Sequence, residues 1–173
     1  MKPVHSVLKI IDFSVLQMHF ELIAPDDLDE MLNPATYFGR YELDLDFSGS
    51  ENEYFQITMS VDINNVANPL PGYKISAKVA TLFQFGDTSS ISADEKNSME
   101  GFSTVYMALN NLRGIISAFT ANAPFGRYTL PSIDLNDLIQ KKRQLIKGPS
   151  TGGKRLKKEN LKPHKKKIKK SNG

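Results

Sequence analysis

The sequence predicts an α+β domain: a four-stranded antiparallel sheet packed with one long helix and a short C-terminal helix, followed by a basic tail. Three observations carry that prediction. Four segments before residue 86 place apolar residues at every second position. Between residues 92 and 146 the apolar period lengthens to three or four, and beyond residue 148 the large apolar residues nearly vanish.

The first strand is read over Val4 to Ile23, where Leu8, Ile10, Phe13, Val15, Met18, Phe20 and Leu22 keep a period of two, with a shift near Ile11 and Asp12 that predicts a bulge. Ala24, Pro25 and the acidic cluster after them end it, and a loop with Tyr37 and Phe38 leads onward. Tyr41, Leu43, Leu45 and Phe47 alternate with Glu42, Asp44 and Asp46, so the second strand has one apolar and one carboxylate face. Phe55, Ile57, Met59, Val61 and Ile63 mark the third strand. Tyr73, Ile75, Ala77, Val79, Leu82 or Phe83, and Phe85 mark the fourth. Connections too short for a helical crossover predict an antiparallel meander or hairpin-type sheet.

Ser92 or Asp94 can then cap a long amphipathic helix whose stripe runs through Met99, Phe102, Val105, Tyr106, Leu109, Leu112, Ile116 and Phe119. Pro124 and Gly126 break it and open a loop carrying Phe125, Tyr128 and Leu130. Asp134 caps a last helix with Leu135, Leu138, Ile139, Arg143 and Ile146 along one side. Residues 1–147 are therefore read as one domain. The remaining 148–173 cannot bury enough apolar surface to offset the entropy of ordering and are expected to be a disordered, lysine-rich tail.

The formal net charge of +3 conceals an asymmetry. Residues 1–140 hold 8 Lys/Arg against 18 Asp/Glu, whereas residues 141–173 hold 14 against one, so an acidic body precedes a basic extension. No apolar run approaches the roughly 20 residues of a membrane-spanning helix, and no signal-peptide pattern opens the chain, which places the protein in the cytoplasm as an expectation. With no cysteine, thiol nucleophiles, disulfides and thiolate zinc sites are excluded. His5, His19 and His164 share no metal-ligand spacing. Asp44 and Asp46 are the polar half of a strand rather than an acid–base pair, and Ser150–Lys154 lacks the spacing of a phosphate loop. Neither an enzyme nor a cofactor is expected.

One family resemblance emerges from the order of elements. The run LRGIISAFTANAPFGRYTLPSIDLNDLI, Leu112 to Ile139, resembles the C-terminal helix, loop and helix of the SecB export chaperone family, and FELIAP (Phe20 to Pro25) with YELDLDFS extends the likeness to roughly Val7–Ile146. The resemblance implies a homotetramer, a dimer of dimers, that holds unfolded polypeptides such as preproteins in long grooves without ATP. It also implies a client-binding groove lined by Tyr37, Phe38, Phe125, Tyr128, Leu130, Leu135 and Leu138. The loop aromatics are expected to be exposed, since loops seldom bury several rings, while Leu135 and Leu138 suit either groove or core. Two departures stand against the family pattern. His19, Ile23 and Lys78 fall at or near positions where acids of the SecA-docking patch would lie, leaving engagement of that motor and a role in protein export open. The second departure is the tail, where Lys154, Arg155, Lys157, Lys158, Lys165, Lys166, Lys167, Lys169 and Lys170 would attract a polyanion, an acidic partner or the acidic body itself.

The sequence thus favours an ATP-independent holdase. A dedicated chaperone for one client, such as an antitoxin, is an alternative in the same class. A polyanion- or nucleic-acid-associated protein acting through its tail is the alternative from another.

Overall fold

Strict alternation of β-branched and aromatic residues with small polar ones shapes the sheet. The computed structural model describes residue 2 and residues 5–25, 40–49 and 54–147. They form β1 (Leu8–Ile23), β2 (Tyr41–Gly49), β3 (Tyr54–Ile63), β4 (Gly72–Phe85), α1 (Ala93–Ser98), a π-helical segment (Met99–Ser103), α2 (Thr104–Thr120) and α3 (Leu135–Lys147). The architecture is α+β, a four-stranded antiparallel sheet with a long, interrupted helix and a short C-terminal helix. Tyr37, Phe38 and all the lysines and the arginine of the tail lie outside the described residues.

The strands run in the order β1-β4-β3-β2. Only β2, β3 and β4 form the expected meander. The first strand pairs with β4 at the opposite edge from β2, because β1 and β4 are both long enough to match along their whole length, Leu8 opposite Phe85 to Ile23 opposite Gly72. The bulge expected near Ile11 is present between Ile10 and Asp12, and a second falls between Val15 and Gln17. With these bulges Ile10, Phe13, Val15 and Met18 stay on the core side, opposite Phe83, Thr81, Val79 and Ala77.

Facing residues of antiparallel strands share a side of the sheet. The register puts Leu45, Met59 and Val79 in one row and Phe47, Ile57 and Thr81 in the next, so a single face carries the core. Val105, Ala108, Leu109, Leu112 and Ile116 of α2 close over it, all fully buried. Phe55 stacks near Phe83 and Phe85 at ring-centroid distances of 5.6 and 5.5 Å. Among the described residues the other face of the sheet carries no helix.

The long helix starts at Ser92, whose hydroxyl accepts from the Glu95 amide (3.2 Å) while Glu95 Oε2 accepts from the Ser92 amide (2.8 Å), a reciprocal capping box. The π-helical segment then interrupts it. Phe102 lies in that wider turn, and Tyr106 falls on the flank of the buried Val105–Leu109–Leu112 stripe, so both, expected in the buried stripe, are exposed. Phe119 at the far end is exposed as well. The turn at 64–72 is organised by Asn64, at φ 55° and buried. Its Nδ2 donates to the carbonyls of Leu70 (2.8 Å) and Tyr73 (3.2 Å), and its Oδ1 accepts from the Leu70 amide (2.9 Å).

Candidate functional site

Where β1 ends, β4 begins and α2 stops, four aromatic rings meet. Phe20 lies 5.3 Å from both Tyr73 and Phe119, and Tyr73 lies 5.8 Å from Phe125, all between ring centroids in tilted or edge-on arrangements. Tyr73 is buried beneath the others. Phe119 is 53% exposed and Phe125 41% exposed, with Leu22 open beside them. The result is an apolar surface with a polar, rigid base.

The base is built by the loop 121–134. Ala123 donates to the Thr120 carbonyl (3.0 Å) and Gly126 to the Ala123 carbonyl (2.9 Å), and Gly126 sits at φ 77°, a conformation that suits glycine. Tyr73 Oη accepts from the Phe125 amide and donates to the Gly126 carbonyl, both at 2.8 Å, so one phenol ties the loop to the sheet. Burial raises its pKa above the ordinary tyrosine value, partly offset by the Phe125 amide. Thr120 Oγ1 donates to the Ile116 carbonyl (2.9 Å) and accepts from the Tyr128 amide (2.8 Å), which turns the chain so that Phe125 faces out and Tyr128 in.

That geometry corrects the expectation for the loop. Tyr128, at 5% exposure, and Leu130 are part of the core, not of an exposed loop surface. The loop is tethered at Thr120 and Tyr73, and anchored by Arg113, whose Nη2 donates to the Pro131 carbonyl (2.7 Å). It therefore lies down on the protomer. Of Leu135 and Leu138, the first is buried and the second half-buried. Of the groove residues expected from sequence, Phe125 alone among the described ones is openly exposed. Phe20, Tyr73 and Phe119 were not singled out, because only the β1–β4 register brings them together.

A second feature lies at the opposite sheet edge. Asp134 Oδ1 accepts from the amides of Asn136 (2.9 Å) and Asp137 (3.2 Å) and caps α3. Leu135 and Ile139 pin the first half of α3 to the core. Lys142 Nζ then reaches Asp44 Oδ1 at 2.9 Å and Asp46 Oδ1 at 2.8 Å on β2. Its hydrogen bonds to Asp46 and then Asp44 hold its pKa above the ordinary lysine value. Past this point the helix leaves the body, and Leu145 and Ile146 are widely exposed. Between α3, Phe47 and the π-helical segment lies a shallow cleft of about 420 Å³, lined by Asn97, Glu100, Gly101, Lys142, Arg143 and Ile146. Gly101 admits the Arg143 guanidinium, whose Nη2 would lie 3.4 Å from a Cβ placed there.

The outer sheet face offers no catalytic grouping. His19 sits beside Glu21 at 4.0 Å and opposite Ser76, while Lys74 pairs with Glu21 at 3.4 Å and Lys78 is exposed next to Gln17 and Ser60. Among the described residues there is no cluster of three or more His, Cys, Asp or Glu that could hold a metal, and no helix long and apolar enough to cross a membrane.

No family model matches the sequence, and no curated protein matches it. Solved structures do resemble it. One is the Mycobacterium tuberculosis Rv1957 SecB-like chaperone, solved in complex with a ChAD peptide from the Rv1956 HigA1 antitoxin: 16% identity, 73% of this chain and 91% of that one covered, TM-score 0.49. Another is a Streptococcus agalactiae protein of unknown function, at 12% identity, with 73% and 97% covered and a TM-score of 0.42. At such values these are likenesses of general arrangement, and they leave open what this chain binds.

Proposed function

We propose that the protein is an ATP-independent holdase that captures non-native polypeptide on the aromatic surface formed by Phe20, Phe119 and Phe125. The exposure of Phe119 and Phe125 over a hydrogen-bonded, buried Tyr73 is the observation that carries this reading. Contiguous exposed apolar surface marks an interaction site. Aromatic rings held on a fixed base bind apolar side chains with little loss of rotamer entropy and without sequence preference. The bare end of α3, with Leu145 and Ile146, adds a second apolar contact, so that an extended client is held at two places and each weak contact raises the effective concentration for the other.

Assembly belongs to the same proposal. The apolar residues Ile10, Ile11, Val15 and Leu16 on edge strand β1, and Phe102 of the π-helical segment with Tyr106 of α2, lie away from the aromatic surface and are exposed in a single chain. Burying them between copies, in a dimer of dimers, leaves Phe119 and Phe125 free for clients. The outer sheet face, with His19, Lys74 and Lys78 in its β1–β4 half, does not favour docking of a basic partner there, and export is not part of the proposed role.

The test is light scattering from an aggregating unfolded protein in the presence of the full chain, a chain truncated after Lys147, and the full chain carrying Phe119→Ser with Phe125→Ser. The holdase reading expects suppression by the first two and at least a several-fold loss in the third while its far-UV spectrum is kept. Equal suppression by the double variant would place client binding elsewhere. Tyr128→Ser is not suitable for this purpose, since that ring is core.

A further inference from the structure

Among the described residues no helix or loop packs on the outer face of the sheet, and its charge is divided. In the β1–β4 half, Lys74 offsets Glu21 and Lys78 stands beside uncharged neighbours. In the β2–β3 half the sign is single: Glu42, Asp44 and Asp46 occupy alternate positions of β2, and Asp62 of β3 lies directly opposite Glu42. Like charges in facing positions repel. Lys142 of α3 bridges Asp44 and Asp46, but among the described residues no cation pairs with Glu42 or Asp62. The basic end of the chain thus already places one ammonium on this row and leaves the rest of the row unmatched.

The chain beyond α3 has the complementary charge. Residues 148–173 contain ten Lys/Arg and a single acid, Glu159. The last described helix ends at Lys147, with Ile146 lining the same cleft as Phe47 of β2. Moving from Asp46 to Glu42 covers four residues of strand, about 13 Å at ~3.3 Å per residue. The seven residues from Lys147 to Lys154 already span about 24 Å when extended. Reach is therefore no obstacle, even for the first tail lysine.

We propose that the lysine-rich segment 148–173 folds back across the outer sheet face of its own chain and docks on the Glu42–Asp44–Asp46–Asp62 row, extending the seat that Lys142 begins. The contact is electrostatic and exposed, hence reversible and salt-sensitive. It sets the acidic row and any external polyanion in competition for the same lysines. This inference is independent of the holdase reading, since the row lies on the other side of the sheet from the aromatic surface.

Zero-length carbodiimide coupling of the full chain, followed by peptide mass spectrometry, tests it. At low salt, couplings should join Lys154, Lys157, Lys158 or the 165–170 lysines to Glu42, Asp44, Asp46 or Asp62. They should fall at least about fivefold in ~0.5 M NaCl, where the screening length is only about 4 Å. A mixture of isotope-labelled and unlabelled chains should give these couplings within one label only. Ser171→Cys, the sole cysteine, supports a second readout. A fluorophore there should be restricted in rotation at low salt and freed both by salt and by Glu42→Gln with Asp62→Asn. Three results would overturn the proposal: no tail couplings, couplings spread evenly over Asp94, Glu95, Asp134 and Asp137, or couplings between differently labelled chains. A fluorophore indifferent to salt and to the double substitution, in a variant that keeps its far-UV spectrum, would do so as well.

Discussion

Single side chains with more than one partner hold the irregular parts of this protein. Asn64 satisfies two carbonyls and one amide from a buried, left-handed position that asparagine tolerates better than most residues. Asn64→Ala should leave those groups unmet and cost about 2–3 kcal/mol, read from the urea midpoint at unchanged slope. Tyr128 supplies a pH signature. Burial, with the nearby Tyr41 adding to it, pushes its pKa up to about 12 against an ordinary value of 10.0. A raised folded-state value means that its stabilisation is complete below pH 10.0 and is lost as pH rises through about 12. Absorbance titration should therefore show Tyr128 ionising later than an ordinary tyrosine, together with alkaline unfolding, and Tyr128→Phe should remove that component while leaving the raised Tyr73 in place.

At the scale of elements, α3 is held in two different ways. Its first half rests on Leu135 and Ile139, both buried. Its middle rests on Lys142 and two carboxylates that are more than half exposed. Exposed ion pairs contribute little, so Lys142→Met should lower global stability by no more than about 1 kcal/mol. It should nevertheless speed amide exchange in the last turns of α3 while leaving α2 unchanged. Because the lysine pKa is raised, this latch is intact below the ordinary lysine value of 10.5 and fails as pH rises through the higher folded-state value. The interrupted helix is a second case. Sequence periodicity predicts its extent and offers Ser92 or Asp94 as its cap, of which Ser92 is the one used, whereas Phe102 in the π-helical segment and Tyr106 on the flank of the buried stripe are exposed.

For the whole molecule, the residues left uncovered by one chain matter most. Edge strand β1 exposes four large aliphatic side chains between Ile10 and Leu16, and the interrupted helix exposes Phe102 and Tyr106. An edge of this kind invites pairing with another strand. If copies assemble through these surfaces, Leu16→Lys and Tyr106→Lys should each lower the mass found by light scattering coupled to size-exclusion chromatography, without loss of helix or strand signal. A mass equal to that of the parent chain for both variants would show that assembly, if any, uses other surfaces.

The sequence by itself determined the α+β class, the four strands, the two helical regions and the acidic body with its basic extension. All of these depend on local periodicity and composition, which near neighbours carry. Tertiary structure decided the rest. Pairing β1 with β4 instead of β2 is a choice between partners of matching length, and it alone brought Phe20 and Tyr73 to Phe119 and Phe125. The direction of the loop rings was settled by two hydroxyls, Thr120 Oγ1 and Tyr73 Oη, the second separated from its partners by more than fifty residues. Hydrogen bonds across that distance leave no trace in the pattern of the chain, so the sequence alone does not separate the exposed Phe125 from the buried Tyr128.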